Sequence, residues 1–297
     1  MTATATVRIG TRQSRLALAQ ARIAGDAIAH VLGPAQLVPI ATHGDDISTR
    51  RPNAGWVIAD GQFTRELERA LLEGEIDLAV HSYKDMPTAP VDGLAVGAVL
   101  ERADARDCLI TPGNDGIDGL PFGARIGTSS PRRAAQLAQR RSDLIAMPIR
   151  GNVETRLARL SAGDFDGLVL AAAGLDRLGV EVVDEARLPF ELMLPAPAQG
   201  ALAIQVRAGD AALRDALAEV DHRATRIAVE AERDLLRRIG GGCLAPLGAL
   251  GEVDGDSIWL RAAFEDDSGS LRRAEGSGSA SHPDAVVAQV AARIAQQ

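Results

Sequence analysis

Lysine is almost absent from this chain: of 32 basic residues in 297, Lys84 alone is not arginine. Aromatic side chains are also few, five Phe, two Trp and one Tyr, which leaves no material for a base-stacking platform. Forty acidic residues give a net charge of -8, which argues further against a nucleic-acid partner. Two cysteines, Cys108 and Cys243, make neither a disulfide framework nor a zinc pattern. Five histidines show no metal-ligand spacing, so no metal is expected. Long hydrophobic runs are missing; the longest, Leu168 to Ala173, is far too short to cross a bilayer. Met1 to Gly10 lacks the charged and apolar regions of a signal peptide, and a cytoplasmic protein is expected. Walker, G-x-G-x-x-G, G-x-S-x-G and H-E-x-x-H motifs are all lacking.

What remains is ordinary globular material, 46% hydrophobic and 24% charged, in a chain long enough for two or three domains. Short apolar runs alternate with amphipathic stretches through the first two-thirds. Thr6 to Thr11, Leu37 to Thr42 and Ile76 to His81 read as strands. Ser14 to Leu32, with Leu16, Ile23, Ala27 and Ile28 on its apolar face, and Phe63 to Glu73 read as helices. This alternation predicts a parallel or mixed sheet covered by helices.

The pattern then repeats. Arg8-Ile9-Gly10-Thr11 returns as Arg125-Ile126-Gly127-Thr128. The stretch from Thr64-Arg65-Glu66-Leu67 to Gly74-Glu75-Ile76-Asp77 returns as Glu154-Thr155-Arg156-Leu157 to Gly163-Asp164-Phe165-Asp166. Two similar α/β domains are expected, joined near Leu100 to Arg106 and again at the Pro-rich Leu194 to Ala198. A doubly connected pair forms a hinge and places a ligand in the cleft. The remainder predicts a small α+β domain: a helix from His222 to Ile239, strands at Leu247 to Val253, Ser257 to Phe264 and Ser270 to Glu275, and a helix from Pro283 to Gln296. The expected domains are 1–101 with 196–219, 102–195, and 220–297.

The arginines gather where strands end. Thr128-Ser129-Ser130-Pro131-Arg132-Arg133 sets hydroxyl caps, a helix-starting proline and two guanidinium groups after a strand. Arg150-Gly151-Asn152, ahead of Arg156, is a second such place, and Thr11-Arg12-Gln13-Ser14 a third. Guanidinium forks suit carboxylate or phosphate, and ligands of open α/β sheets lie at the carboxyl ends of strands. Surface salt bridges are the plainer alternative. His81-Ser82-Tyr83-Lys84-Asp85-Met86-Pro87 also follows a strand; Asp85 either pairs with Lys84 to hold a turn or stabilises a developing cation. Cys243, after three glycines, is either a small buried hydrophobe or an accessible nucleophile or attachment point.

These features occur within segments that resemble the porphobilinogen deaminase family over nearly the whole chain. They stand here as RIGTRQSRLALAQ, ELERALLEGEIDLAVHSYKDMPT, IGTSSPRRAAQLAQRR, IRGNVETRL, AAAGLDRLG, PAPAQGALAI and GGCLAPLGA. The resemblance implies two hinged α/β domains like those of periplasmic binding proteins, plus a small C-terminal α+β domain. It implies a dipyrromethane cofactor on Cys243 through a thioether. Four porphobilinogen molecules are then added head to tail, each losing ammonia, and hydrolysis releases hydroxymethylbilane. Asp85 matches the catalytic carboxylate that stabilises azafulvene-like cations. Ser82, Lys84, Asp85, Thr128, Ser130, Arg132, Arg133, Arg150 and Gly151 match cofactor-binding positions, and Arg12, Ser14, Arg150, Arg156, Arg177 and Gln199 substrate-binding ones. A monomer without nucleic-acid or membrane partners is expected. The family's glycine- and lysine-rich mobile loop is replaced by Asn53 to Gln62, which lacks lysine. The alternative of another class is a non-catalytic two-domain binding protein for an anionic ligand.

Overall fold

The computed structural model describes residues 6–42, 63–240 and 245–296. Cys243 and the Asn53 to Gln62 stretch lie outside the described residues. The chain enters through β1 (Val7–Arg12), α1 (Arg15–Leu32) and β2 (Ala35–Ile40). It continues through α2 (Arg65–Leu72), β3 (Leu78–Ser82) and β4 (Leu94–Val99). These strands form a five-stranded sheet of order β2-β1-β3-β9-β4, completed much later by β9 (Leu202–Arg207). Strands β1, β2 and β3 run parallel, and β9 is antiparallel to both of its neighbours.

Alternate residues of β3 feed opposite faces, as a pleated strand requires. Leu78 and Val80 join Ile9, Ala24 and Ile28 under α1, while Ala79 packs with Leu67 and Leu71 under α2. One expectation fails here. The buried face of α1 is Ala17, Gln20, Ala21, Ala24 and Ile28, whereas Ile23 is 42% exposed. Small alanines let the helix lie close to the sheet, and that closeness selects the stripe over the bulkier one.

The second sheet, β5-β8-β6-β7, is built wholly from residues between the two crossings. Its strands are β5 (Asp107–Ile110), β6 (Arg125–Gly127), β7 (Ile145–Met147) and β8 (Gly167–Ala171). Its helices are α3 (Pro131–Arg140), α4 (Val153–Ser161) and α5 (Ala172–Arg177). Ser14, Ser130 and Asn152 cap α1, α3 and α4 by accepting from backbone amides three residues on, which fixes where each helix starts. After β9 come α6 (Ala211–Leu217) and the long α7 (Arg223–Ile239), capped by His222.

A third sheet, β10 (Leu247–Asp254), β11 (Ser257–Glu265) and β12 (Leu271–Ser279), is an antiparallel meander packed on α7 and α8 (Pro283–Gln296). Strand β12 runs four residues beyond the expected Glu275. Its Gly276 and Gly278 weaken the strand pattern in sequence. A side chain at Gly276 would come within 2.6 Å of Gln289 Oε1, and one at Gly278 within 2.8 Å of Val286 Cγ2. The glycines thus admit α8 and do not end the strand.

Candidate active site

The two crossings between the sheets lie against each other. The Ala103 amide donates to the Gly200 carbonyl at 3.3 Å, and Arg102 Nε to the Gln199 carbonyl at 2.8 Å. Ala198 takes the left-handed backbone conformation, φ 63°, which costs a non-glycine residue about 1–2 kcal/mol. Its amide is held at 2.6 Å by Glu232 Oε2. Glu232, on α7 and fully buried, also accepts from both Arg102 Nη atoms, at 2.6 and 3.1 Å, and from the Gly251 amide at 2.7 Å. One carboxylate therefore joins both crossings to the C-terminal sheet.

Strand β1 ends at Arg12 and parallel β3 at Ser82, so both side chains reach the same edge of the first sheet. Arg12, Ser14, Ser82 and Asp85 line one cavity of about 50 Å³, with Gln20, Phe63 and His81. The Arg12 guanidinium lies 4.1 Å from the Phe63 ring centroid, a cation–π contact. Ser82 Oγ exchanges hydrogen bonds with the Gln20 amide at 2.8 and 3.1 Å. His81 is buried against Gln205, 3.1 Å away; burial, with the Arg12 charge adding to it, pulls its pKa down to about 4, so the ring stays neutral.

Beyond Ser82 the chain makes a 3₁₀ turn, Tyr83–Asp85, that carries Lys84 and Asp85. They do not pair with each other through a hydrogen bond. Lys84 Nζ donates to Gln199 Oε1 at 3.1 Å, and Gln199 Nε2 donates to Asp107 Oδ1 at 2.9 Å. Asp107, fully buried at the start of β5, in turn accepts from Arg132 Nη1 at 2.8 Å and Arg133 Nη2 at 2.6 Å. Burial alone would raise the Asp107 pKa; the two guanidinium groups outweigh it and hold the carboxylate well below its usual range.

Arg132 and Arg133 thus differ from the expected open anion site. They are buried, and their remaining bonds go to the Leu194 and Val169 carbonyls. The anion in their grasp here is the protein's own Asp107. Asp107 and Glu232 escaped the sequence reading because nothing local marks them.

Arg156 and Arg177 are less satisfied. Arg156 Nε donates to the Gly151 carbonyl at 2.9 Å, and Arg177 Nη2 to the Gly200 carbonyl at 2.6 Å; neither forms an ion pair among the described residues. Burial, then the Arg133 charge, pulls the Arg156 pKa down to about 10 against the opposing influence of Asp85. Burial also pulls Arg177 down to about 10. Lys84 falls to about 8, mainly through burial, with Arg133 and Arg132 lowering it and Asp85 and Asp107 raising it. Arg150 lies three residues past the end of β7, beside Gly151, whose φ of 108° favours glycine. Thr128 is buried at the end of β6, its Oγ1 accepting from the Ser130 amide at 3.2 Å, while Ser130 caps α3.

Burial holds Lys84, Arg156 and Arg177 below their normal pKa, and the Arg133 charge adds to it at Lys84 and Arg156. Among the described residues lining the cavity Asp85 is the one carboxylate, and it makes no hydrogen bond or ion pair with a described residue. A ligand rich in carboxylates fits that donor set, as dipyrromethane and porphobilinogen both are.

Comparison with known proteins agrees. Residues 7–215 match the family model described as "Porphobilinogen deaminase, dipyromethane cofactor binding domain", and residues 226–296 that described as "Porphobilinogen deaminase, C-terminal domain". The porphobilinogen deaminase of Desulforudis audaxviator (strain MP104C) is 47% identical over 292 residues, covering 97% of this chain and 94% of that one. Two solved structures are similar at a lower level. The periplasmic VFT2 domain of Bordetella pertussis BvgS has TM-score 0.42 and 13% identity, covering 72% of this chain and 86% of its own. Protein PG110 from Staphylococcus aureus has TM-score 0.44 and 12% identity, covering 73% and 87%. No described helix is long and apolar enough to cross a membrane. With both family descriptions matched in order and a relative aligned almost end to end, this chain belongs to the porphobilinogen deaminase family.

Proposed function

We propose that the chain acts as a hydroxymethylbilane synthase. It condenses four porphobilinogen molecules head to tail on a dipyrromethane primer carried by Cys243, loses ammonia at each addition, and releases hydroxymethylbilane by hydrolysis. The observation that supports this most directly is Asp85, a carboxylate without a hydrogen-bonding partner among the described residues, set amid cations whose charge is incompletely balanced. The dipyrromethane, when bound, supplies the pyrrole carbon to which the next unit is joined.

Arg12, Ser14, Arg150, Arg156 and Arg177 bind the carboxylates of substrate and growing chain; Gln199, expected among them, is buried with both amide atoms engaged and acts behind them. Ser82, Lys84, Thr128, Ser130, Arg150 and Gly151 hold the cofactor, with Arg132 and Arg133 behind them. Each charge-assisted hydrogen bond contributes about 1.5–3 kcal/mol. Asp85 has the opposite task. Loss of ammonia leaves positive charge on the incoming unit, and a carboxylate already in place stabilises it without reorganisation. Asp107 holds the Arg132–Arg133 pair and, through Gln199, keeps Lys84 on the same side of the cleft. The chain works as a cytoplasmic monomer in this reading.

Intact mass tests the proposal. The purified protein should exceed its sequence mass by one dipyrromethane, and Cys243→Ser should remove the increment. Bare sequence mass after incubation with porphobilinogen would overturn the enzymatic reading.

A further inference from the structure

The Asp85 side chain has no bonding partner among the described residues to locate it, so its position is set by the backbone of its turn. That backbone is held from outside the first sheet. Arg233, buried on α7, donates from Nη1 to the carbonyls of Tyr83, 3.1 Å, and Met86, 3.0 Å, and from Nη2 to the Pro87 carbonyl at 2.6 Å. Its guanidinium also lies 4.4 Å from the centroid of the Tyr83 ring. The three carbonyls bracket Lys84 and Asp85 on both sides. On the opposite side the Tyr83 amide donates to the Ala201 carbonyl at 3.0 Å, so the start of the turn is tied to the second crossing as well.

Only a fork of several donors in one plane reaches three carbonyls of such a turn together. The preceding residue on α7 is Glu232, which binds both crossings. In sequence the same helix runs on to the glycines before Cys243. Adjacent residues of one helix therefore set the hinge and the turn that carries the carboxylate.

We propose that Arg233 is a positioning residue for the reaction: it acts through Asp85 by fixing the 83–87 turn, and so ties the placement of the carboxylate to the helix that leads to the attachment cysteine. This rests on the proposed role of Asp85. Misplacing a reacting group by about 1 Å costs on the order of 100-fold in rate, which sets the scale of the effect.

The test uses the cofactor-loaded protein. In Arg233→Met, which keeps the apolar stem and removes the donors, kcat should fall about 10- to 100-fold while KM for porphobilinogen stays within about threefold. The cofactor increment in mass should persist, and amide exchange at residues 84–88 should accelerate. Combined with Asp85→Glu, the second substitution should add little to the loss caused by the first. A kcat within about twofold of the parent, unchanged exchange at 84–88, or losses that multiply in full would overturn the proposal. Should Arg233→Met fail to fold, Arg233→Lys, whose single ammonium cannot span three carbonyls, is judged by the same criteria. Normal turnover of Asp85→Glu and Asp85→Asn would instead sink the assignment of Asp85, and is read separately from the Arg233 result.

Discussion

In the first α/β unit Arg8 on β1 reaches Asp77 at 2.7 Å and the carbonyls of Gly74 and Glu75. In the second, Arg125 on β6 reaches Asp166 at 3.2 Å and the carbonyl of Gly163. Gly74 and Gly163 both adopt left-handed backbone, φ 73° and 80°, where α2 and α4 give way to the next strand. Gly10 and Gly127 occupy matching strand positions, and a side chain at either would run into Ile76 or Leu168. The repeat is therefore one device built twice. At the carboxyl ends the units part. The first follows β3 with a turn that sets a half-buried Asp85 in the cavity wall; the second follows β8 directly with α5 and keeps its carboxylate, Asp107, fully inside, between two arginines. A shared scaffold can thus present an anion from one wall of a cleft and cations from the other, provided one unit neutralises its own charge internally.

Breaking the internal pair should have the largest effect. Asp107→Asn leaves Arg132 and Arg133 buried without their counter-ion, and unfolding by denaturant should show a loss of about 3–5 kcal/mol. Its counterpart in the first unit affects rate and not stability. Asp85→Asn should retain the cofactor mass and lose about 10²–10³ in kcat, with an unfolding midpoint near that of the parent. A parent-like kcat would erase the functional contrast between the units.

Acid sensitivity should trace to the first unit, because His81 is neutral in the fold with a pKa of about 4 and ordinary when unfolded. The unfolded chain takes up a proton below about pH 6.5 that the folded chain refuses, so stability is full above that pH and declines as pH falls toward 4. The contribution at stake is about 3 kcal/mol. His81→Gln should flatten this part of the pH–stability curve, and an unaltered curve would assign the loss elsewhere. Smallest of all, Arg8→Met and Arg125→Met should each lower Tm slightly and by similar amounts, since both pairs are partly exposed. Unequal shifts would show that the repeat is structural in appearance only.

Much of this was legible from local signals. Ser14, Ser130 and Asn152 marked helix starts, and Pro283 to Gln296 is helical over its full expected length, while Arg132 and Arg133 follow a strand as read but turn inward. What escaped depends on chain segments far apart. Asp107 lies 25 residues from Arg132, and Arg102 lies 130 from Glu232, so no window of sequence contains both partners. Ile23 was misplaced for a related reason: periodicity names an apolar face, but the close approach of α1 to the sheet decides which one is buried.

The scarcity of lysine gives the cleft a reporter of its own. An amine-selective reagent meets a single side-chain target in the whole chain, and with a pKa of about 8 that amine is substantially unprotonated in mildly alkaline buffer. Labelling of Lys84, read as a mass increment in one peptide, therefore registers occupancy of the cleft without a mutation.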